Sequence, residues 1–276
     1  MMALDSAIAY SLKYSYQLNL VWPMYRGLNT KFEDLFEIPN IVQSISYPSE
    51  YSRNKLIINL KVGGRKLKRL FTDYQFDKIY DKKSREIIDA HLAIINNRNL
   101  KTGYIFHIDP QYKNIFIRTD RRFFQNPDCY KELVPTAEIL EQINQIKLSM
   151  PIQESIGVHI RRTDNYWAIK ESPLEAFYER IQSILEKQPD ALFYVATDSP
   201  DVEEEICKKF GNSILVHKKP TLARDDDLGI KHALIELYLL SSTKRIIGSH
   251  RSTYSKVASE LGGIPLEIAT SKNAVT

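Results

Sequence analysis

The stretch SIGVHIRRTDN, Ser155–Asn165, decides the fold. Its first six residues read as a strand, and two arginines and an aspartate follow at once. Ile156, Val158 and Ile160 share one face of such a strand and His159 and Arg161 the other, with Arg162 reversing side as the strand finishes. Strand interiors do not hold charge of this kind without compensation. Either the arginines mark an exit into solvent, with Asp164 as their partner, or an anion binds at the strand end.

Downstream the pattern repeats. SPLEAFYERIQSILEKQ (172–188) predicts a helix, ALFYVAT (191–197) a strand, SPDVEEEICKKFG (199–211) a helix and SILVH (213–217) a strand. DDDLGIKHALIELYLLSS (225–242), KRIIGS (244–249), RSTYSKVASELGG (251–263) and IPLEIA (264–269) continue as helix, strand, helix, strand. Apolar strands alternating with helices of about twelve residues signal a parallel sheet covered on both faces. Ser172–Pro173 reads as a helix N-cap followed by its first residue, and Gly211 as a stop after EEEICKKF. Residues 151–276 are therefore expected to form a Rossmann-like domain.

Residues 1–150 are less regular. A helix over 3–16 leads to the strand LNLVW and then KFEDLFEIP. Next come KLIINLKV, a basic run, a helix near SREIIDAHLAII, and the strands GYIFHI and NIFIR. VPTAEILEQINQIKLSM predicts a helix leading into the second domain. No repeat or low-complexity linker interrupts the chain, so two closely packed α/β domains with a cleft between them are expected.

The 276 residues are 43% apolar and 26% charged, with a formal net charge of +4. That composition belongs to a soluble globular protein and suits an anionic small substrate. The basic run KVGGRKLKR (61–69) lacks the interleaved aromatics of a nucleic-acid surface and reads as a solvated face. Cys129 and Cys207 match no metal or redox spacing, which points to a reducing, cytoplasmic location. No segment has the length of a membrane span. The opening residues have no basic leader, and Asp5 interrupts them early, so they read as an amphipathic helix rather than a signal. No G-x-G-x-x-G follows a strand, which disfavours a dinucleotide dehydrogenase. RDDD (224–227) could resemble a metal-binding acid pair, but it directly precedes a helix, whose dipole it would complement.

Ligands of open parallel sheets bind beyond the carboxyl ends of the strands. Arg161 and Arg162 stand at one such end, where a guanidinium fork would suit a phosphate. Thr197 and Asp198 stand at another, where they could hold a ribose or base, or Asp198 could cap the next helix. Gly248, Ser249, Ser252, Thr253, Tyr254 and Ser255 form a hydroxyl-rich turn opening a helix, which can bind an anion or serve only as a cap. Glu236 sits in a helix apolar almost all round and so is expected to be buried. Its donors would be an arginine or the N–H edge of a guanine.

In this order, the pieces resemble the superfamily of α1,2-, α1,6- and protein O-fucosyltransferases, and most of all its α1,6 and nodulation branch. The motif H-x-R-R-x-D is complete as His159, Arg161, Arg162 and Asp164. Thr197–Asp198 matches the strand-end pair, and the late G-S-x-x-S-S-F-S pattern reads with Thr253 and Tyr254 in place of Ser and Phe. Glu236 stands where the family has an aspartate. The likeness runs from about Pro135 to Leu266, and the opening helix, strand and FEDLFE also fit.

The resemblance implies a GT-B-like fold with two Rossmann-like domains, GDP-fucose as donor, inversion at the anomeric carbon, and neither metal nor other cofactor. It implies Arg161 and Arg162 at the diphosphate, His159, Thr197, Asp198 and Glu236 at the nucleoside, and Asp164 or Glu171 as base for a glycan or glycoconjugate hydroxyl. The family's first strand and G-x-G-N-R or G-x-G-N-Q loop have no counterpart ahead of the opening helix. An irregular, truncated N-terminal domain is expected, with an inactive nucleotide-binding protein as the alternative.

Overall fold

The computed structural model describes residues 1–24, 27–47, 76–81, 83–96, 106, 108–109, 111–222 and 225–271. The expected strand at 55–62, the basic run at 61–69, most of the expected strand at 103–108 and Arg224 lie outside them. The chain divides into two compact units, Met1–Val134 and Pro135–Thr276.

In the first unit, helix α1 (Met2–Tyr14) precedes strand β1 (Leu18–Val21) and a single 3-10 turn, Phe32–Asp34. Strands β2 (Val42–Ser46) and β3 (Lys78–Asp81), helix α2 (Arg85–Asn96) and strand β4 (Ile115–Arg118) follow. Among the described residues the strands form two parallel pairs, β1 with β2 and β3 with β4. The first three turns of α1 are buried on most sides, through Met2, Leu4, Asp5, Ser6, Ile8, Ala9, Tyr10 and Ser11. An amphipathic helix was the expectation. Exposure begins only at Leu12 and Tyr14.

Asp5 explains how a helix with a central carboxylate can be buried. Its Oδ2 accepts from Arg122 Nη1 at 2.8 Å, and its Oδ1 from Asn126 Nδ2 and the Tyr130 N–H, each at 2.8 Å. Arg122 Nη2 donates to Tyr130 Oη at 2.6 Å. Tyr10 packs beside this network against Phe106, Phe123 and Phe124.

The second unit begins with α3 (Ala137–Ser149), which packs on α7, a helix spanning Asp227–Ser241. Strand β5 (Ile156–Ile160) is buried throughout, and the short helix α4 (Tyr166–Glu171) follows. Helix α5 (Leu174–Leu185), strand β6 (Phe193–Thr197), helix α6 (Pro200–Phe210) and strand β7 (Ile214–Leu215) lead to α7. Strand β8 (Ile246–Gly248), helix α8 (Thr253–Gly262) and strand β9 (Leu266–Ile268) complete it. The strands form one parallel sheet in the order β7-β6-β5-β8-β9. That is the Rossmann order, and it reverses between β5 and β8, where such sheets bind ligands. Ile156, Val158, Ile160, Phe177, Ile181, Phe193, Val195 and Ile206 form the core between sheet and helices.

Gly211 ends α6 with φ 53°, as its place after a lysine-terminated helix suggests. The predicted cap at Ser172–Pro173 differs by one residue. Helix α5 starts at Leu174, because the Ser172 hydroxyl is already engaged by the His250 N–H at 2.8 Å. Where α7 and α8 meet, a Cβ on Gly262 would lie 1.9 Å from the Ser241 carbonyl oxygen. Backbone cannot yield there as a side chain would. Gly262→Ala is therefore expected to cost about 1–3 kcal/mol or more, read as a lowered midpoint in urea denaturation. No helix among the described residues is long and apolar enough to cross a membrane.

Candidate active site

The carboxyl ends of β5 and β6 border a cleft closed by the chain after β7 and by helices α7 and α8. His159, Arg161, Thr197, Asp198, Lys219, His232, Glu236 and Tyr254 are among the residues that line it. All belong to the second unit.

His159 is the last ring on β5 before the charges. Its Nδ1 lies 2.8 Å from Ser255 Oγ and 3.5 Å from Ser252 Oγ, and its ring stacks on Tyr254 with centroids 4.6 Å apart. Burial drives its pKa down to about 4, with Asp198 opposing and Arg161 assisting, so it is neutral at pH 7. The Tyr254 hydroxyl donates to the Ala233 carbonyl at 2.6 Å, which ties α8 to α7.

The two arginines part company. Arg161 donates its backbone N–H to Ser249 Oγ at 2.9 Å, and Ser249 Oγ–H in turn reaches the His159 carbonyl at 3.2 Å. Its guanidinium lines the cleft between two carboxylates, with Nε 3.1 Å from Asp198 Oδ2 and Nη2 paired with Asp164 Oδ1. Nη1 has no partner among the described residues. Arg162, expected beside it, does not line the cleft. Its Nη2 donates to the Ser172 carbonyl at 2.9 Å and its Nη1 to the Arg161 carbonyl at 3.0 Å, with the guanidinium 5.7 Å from the Phe177 ring centre. The reason is the alternation of side-chain direction along an extended chain.

Asp198 organises this strand end rather than capping α6, a task that falls to Ser199. It accepts the Arg162 N–H at 2.7 Å and the Thr163 hydroxyl at 2.7 Å in addition to Arg161 Nε. Thr197 is buried beside it, and its Oγ1 accepts the Ser199 N–H at 3.3 Å.

The late motif serves partly to build the fold. A Cβ on Gly248 would lie 2.6 Å from Ser255 Oγ and 2.7 Å from Ser255 Cβ, so the residue admits helix α8 to the sheet. Ser252 is the N-cap of α8 but makes no side-chain capping bond, and Thr253 is exposed. The first N–H groups of α8 carry the positive end of its dipole beside His159 and Tyr254.

Glu236 is buried, as its apolar helix predicts. Among the described residues its partner is not an arginine but Lys219, whose Nζ lies 2.6 Å from Oε1 and 2.7 Å from Glu203 Oε2. Burial raises the Glu236 pKa to about 7, which Lys219 only partly offsets. Burial alone would lower that of Lys219, but Glu236 and Glu203 outweigh it and leave it raised. Lys219 was not among the expected site residues: it follows β7 in an irregular stretch with no periodicity to show which way it faces.

The two candidate bases sit apart from the cleft lining. Asp164 is 60% exposed and pairs with Arg161, which lines the cleft. Glu171 is exposed at the end of α4 and does not line the cleft.

No family model and no curated protein matches the sequence. Solved structures do match the fold. The chain resembles the NodZ α-1,6-fucosyltransferase soaked with GDP-fucose, at a TM-score of 0.56 and 16% identity over 94% of this chain and 86% of that one. The fucosyltransferase NodZ from Bradyrhizobium gives 0.55 at 16% identity, with 94% and 87% covered. POFUT1 in complex with GDP gives 0.51 at 13% identity, with 96% and 93% covered. The α/β, GT-B-like fold is thus the one that the motifs resembled.

Proposed function

We propose that the chain is a glycosyltransferase that transfers fucose from GDP-fucose to a hydroxyl of a glycan or glycoconjugate, with inversion and without a metal. The observation that carries this reading is the cleft itself. A guanidinium, a buried imidazole and a buried carboxylate line one cleft at the carboxyl end of the sheet, on a fold shared with fucosyltransferases.

In the proposed reaction the acceptor oxygen bonds to the anomeric carbon as the bond from that carbon to the β-phosphate oxygen breaks. The bonding pair leaves with GDP, and the acceptor proton passes to a carboxylate. Charge then grows on the diphosphate, and preorganised donors are the economical way to stabilise it. Arg161, with its unpartnered Nη1, and the first N–H groups of α8 fill that role. Neutral His159 and Thr197 would meet the nucleoside. Asp164 would take the acceptor proton, being the candidate acid joined to the cleft through Arg161.

The test is incubation of the chain with GDP-fucose and glycan acceptors, in the presence and absence of EDTA. Fucosylated product at equal rates with and without EDTA is expected. Calorimetric binding of GDP without release of GDP from GDP-fucose would instead favour a binding protein, and loss of turnover in EDTA would overturn the metal-free reading.

A pH dependence follows from Glu236. Only its ionised form can accept from both the N1–H and the amino group of a guanine, since the neutral acid turns one oxygen into a donor, and its pKa is raised to about 7. GDP affinity is expected to fall as pH drops from 8 to 6, and Glu236→Gln should abolish that slope in calorimetry. Stability runs the other way for this group. With its folded pKa above the unfolded value, its contribution is full at low pH and is lost as pH rises through about 7.

A further inference from the structure

We propose that Lys219 is a specificity residue which, together with Glu236, reads the edge of a guanine base. Lys219 Nζ donates to O6, and Glu236 accepts from N1–H and the exocyclic amino group. This inference rests on the donor reading above and deepens it.

Three elements bring the pair together. Glu203 comes from α6, Lys219 from the chain after β7 and Glu236 from α7. The Lys219 side chain is 4% exposed and that of Glu236 8%, yet both line the cleft. A buried ammonium held by two carboxylates is costly unless each group has further use or excellent geometry. An ammonium has three donors; one is given to Glu236 Oε1, while Glu203 Oε2 lies 2.7 Å away as an ion pair without a hydrogen bond. Even counting Glu203, a donor remains for a ligand. On Glu236, Oε1 holds Lys219 and Oε2 has no hydrogen-bond partner among the described residues.

What the cleft offers is therefore a cationic donor touching an anionic acceptor, at 2.6 Å. The complementary ligand edge has an acceptor next to a donor. Guanine supplies O6, then N1–H, then the amino group, one acceptor followed by two donors. Adenine reverses the order and would set its amino group against the ammonium and its ring nitrogen against the carboxylate. Cytosine places an amino group against the ammonium in the same way. Uracil supplies the first two atoms but lacks the third. Glu203 keeps the ammonium charged and in place when Glu236 turns to the base.

The test is calorimetry of the full chain with a series of nucleoside diphosphates. GDP should bind tightest. IDP, which lacks the amino group, should bind about tenfold more weakly, and 2-aminopurine riboside diphosphate, which lacks both O6 and N1–H, about a hundredfold more weakly. ADP should fall below both. Lys219→Met should weaken GDP by about tenfold to a hundredfold and narrow its margin over the 2-aminopurine analogue, because that base has no O6 to lose. If the variant fails to fold, the series on the unaltered chain still decides. Equal affinity for GDP and the 2-aminopurine analogue, or a Lys219→Met chain that keeps its preference for GDP, would overturn the inference. Turnover of GDP-fucose alongside either result would leave the donor reading standing. A chain that binds UDP and no GDP would sink both.

Discussion

Arg161→Ala is expected to slow turnover of GDP-fucose by about a hundredfold to a thousandfold, as removal of a donor to developing charge does elsewhere. The fold should survive, because the part of Arg161 that holds the structure is its backbone N–H on Ser249. The side chain pairs with Asp198 and Asp164, and Asp198 retains the Arg162 N–H and the Thr163 hydroxyl without it. Arg161→Lys restores charge but not the fork, so it should recover only part of the rate. Arg162→Ala provides the contrast. It strips donors from the Ser172 and Arg161 carbonyls and a cation from the Phe177 face, so instability should appear first. Side-by-side melting curves and single-turnover rates separate the two. An Arg161→Ala chain with unaltered turnover, or an Arg162→Ala chain with unaltered stability and no turnover, would reverse the roles.

That division marks the limit of what the sequence shows. Apolar runs and helix signals expose the alternation from β5 to β9, because a parallel sheet covered on both faces demands continuous apolar strands. Strands β2 and β3 escape notice, since VQSIS and KIYD are short, polar and half-exposed. The motif places two arginines together, but only the direction of each side chain off the strand end shows which enters the cleft. Glu236 could be read as buried from the apolar residues around it. Its partner could not, because Lys219 comes from an irregular stretch with no periodicity to say which way it faces. Glu171 shows the same difficulty in reverse: proximity in sequence to the motif does not bring it to the cleft.

Arg122 is the other residue whose role its neighbours conceal, since no helical or strand periodicity runs through TDRRFFQ. Asp5→Ala and Arg122→Ala are each expected to destabilise the first unit by about 3–5 kcal/mol. The two side chains are 1% and 2% exposed, so neither charge can turn to water when its partner is removed. Loss of Asp5 also leaves Asn126 Nδ2 and the Tyr130 N–H without their acceptor. Loss of Arg122 leaves Asp5 with only neutral donors and the Tyr130 hydroxyl without Nη2. Because the residues act as one network, the double variant should cost much less than the sum of the single ones. Asp5→Asn keeps a carbonyl for the Tyr130 N–H and should fall between wild type and Asp5→Ala. The chain's two tryptophans make this measurable, because Trp22 lies in the first unit and Trp167 in the second. Trp22 donates to the Thr30 carbonyl at 2.9 Å and packs edge-on to Phe32, so its emission follows the first unit. In a Trp167→Phe background, the urea midpoint read from Trp22 should shift with every Asp5 and Arg122 variant. Additive single and double variants would show that the pair is not coupled.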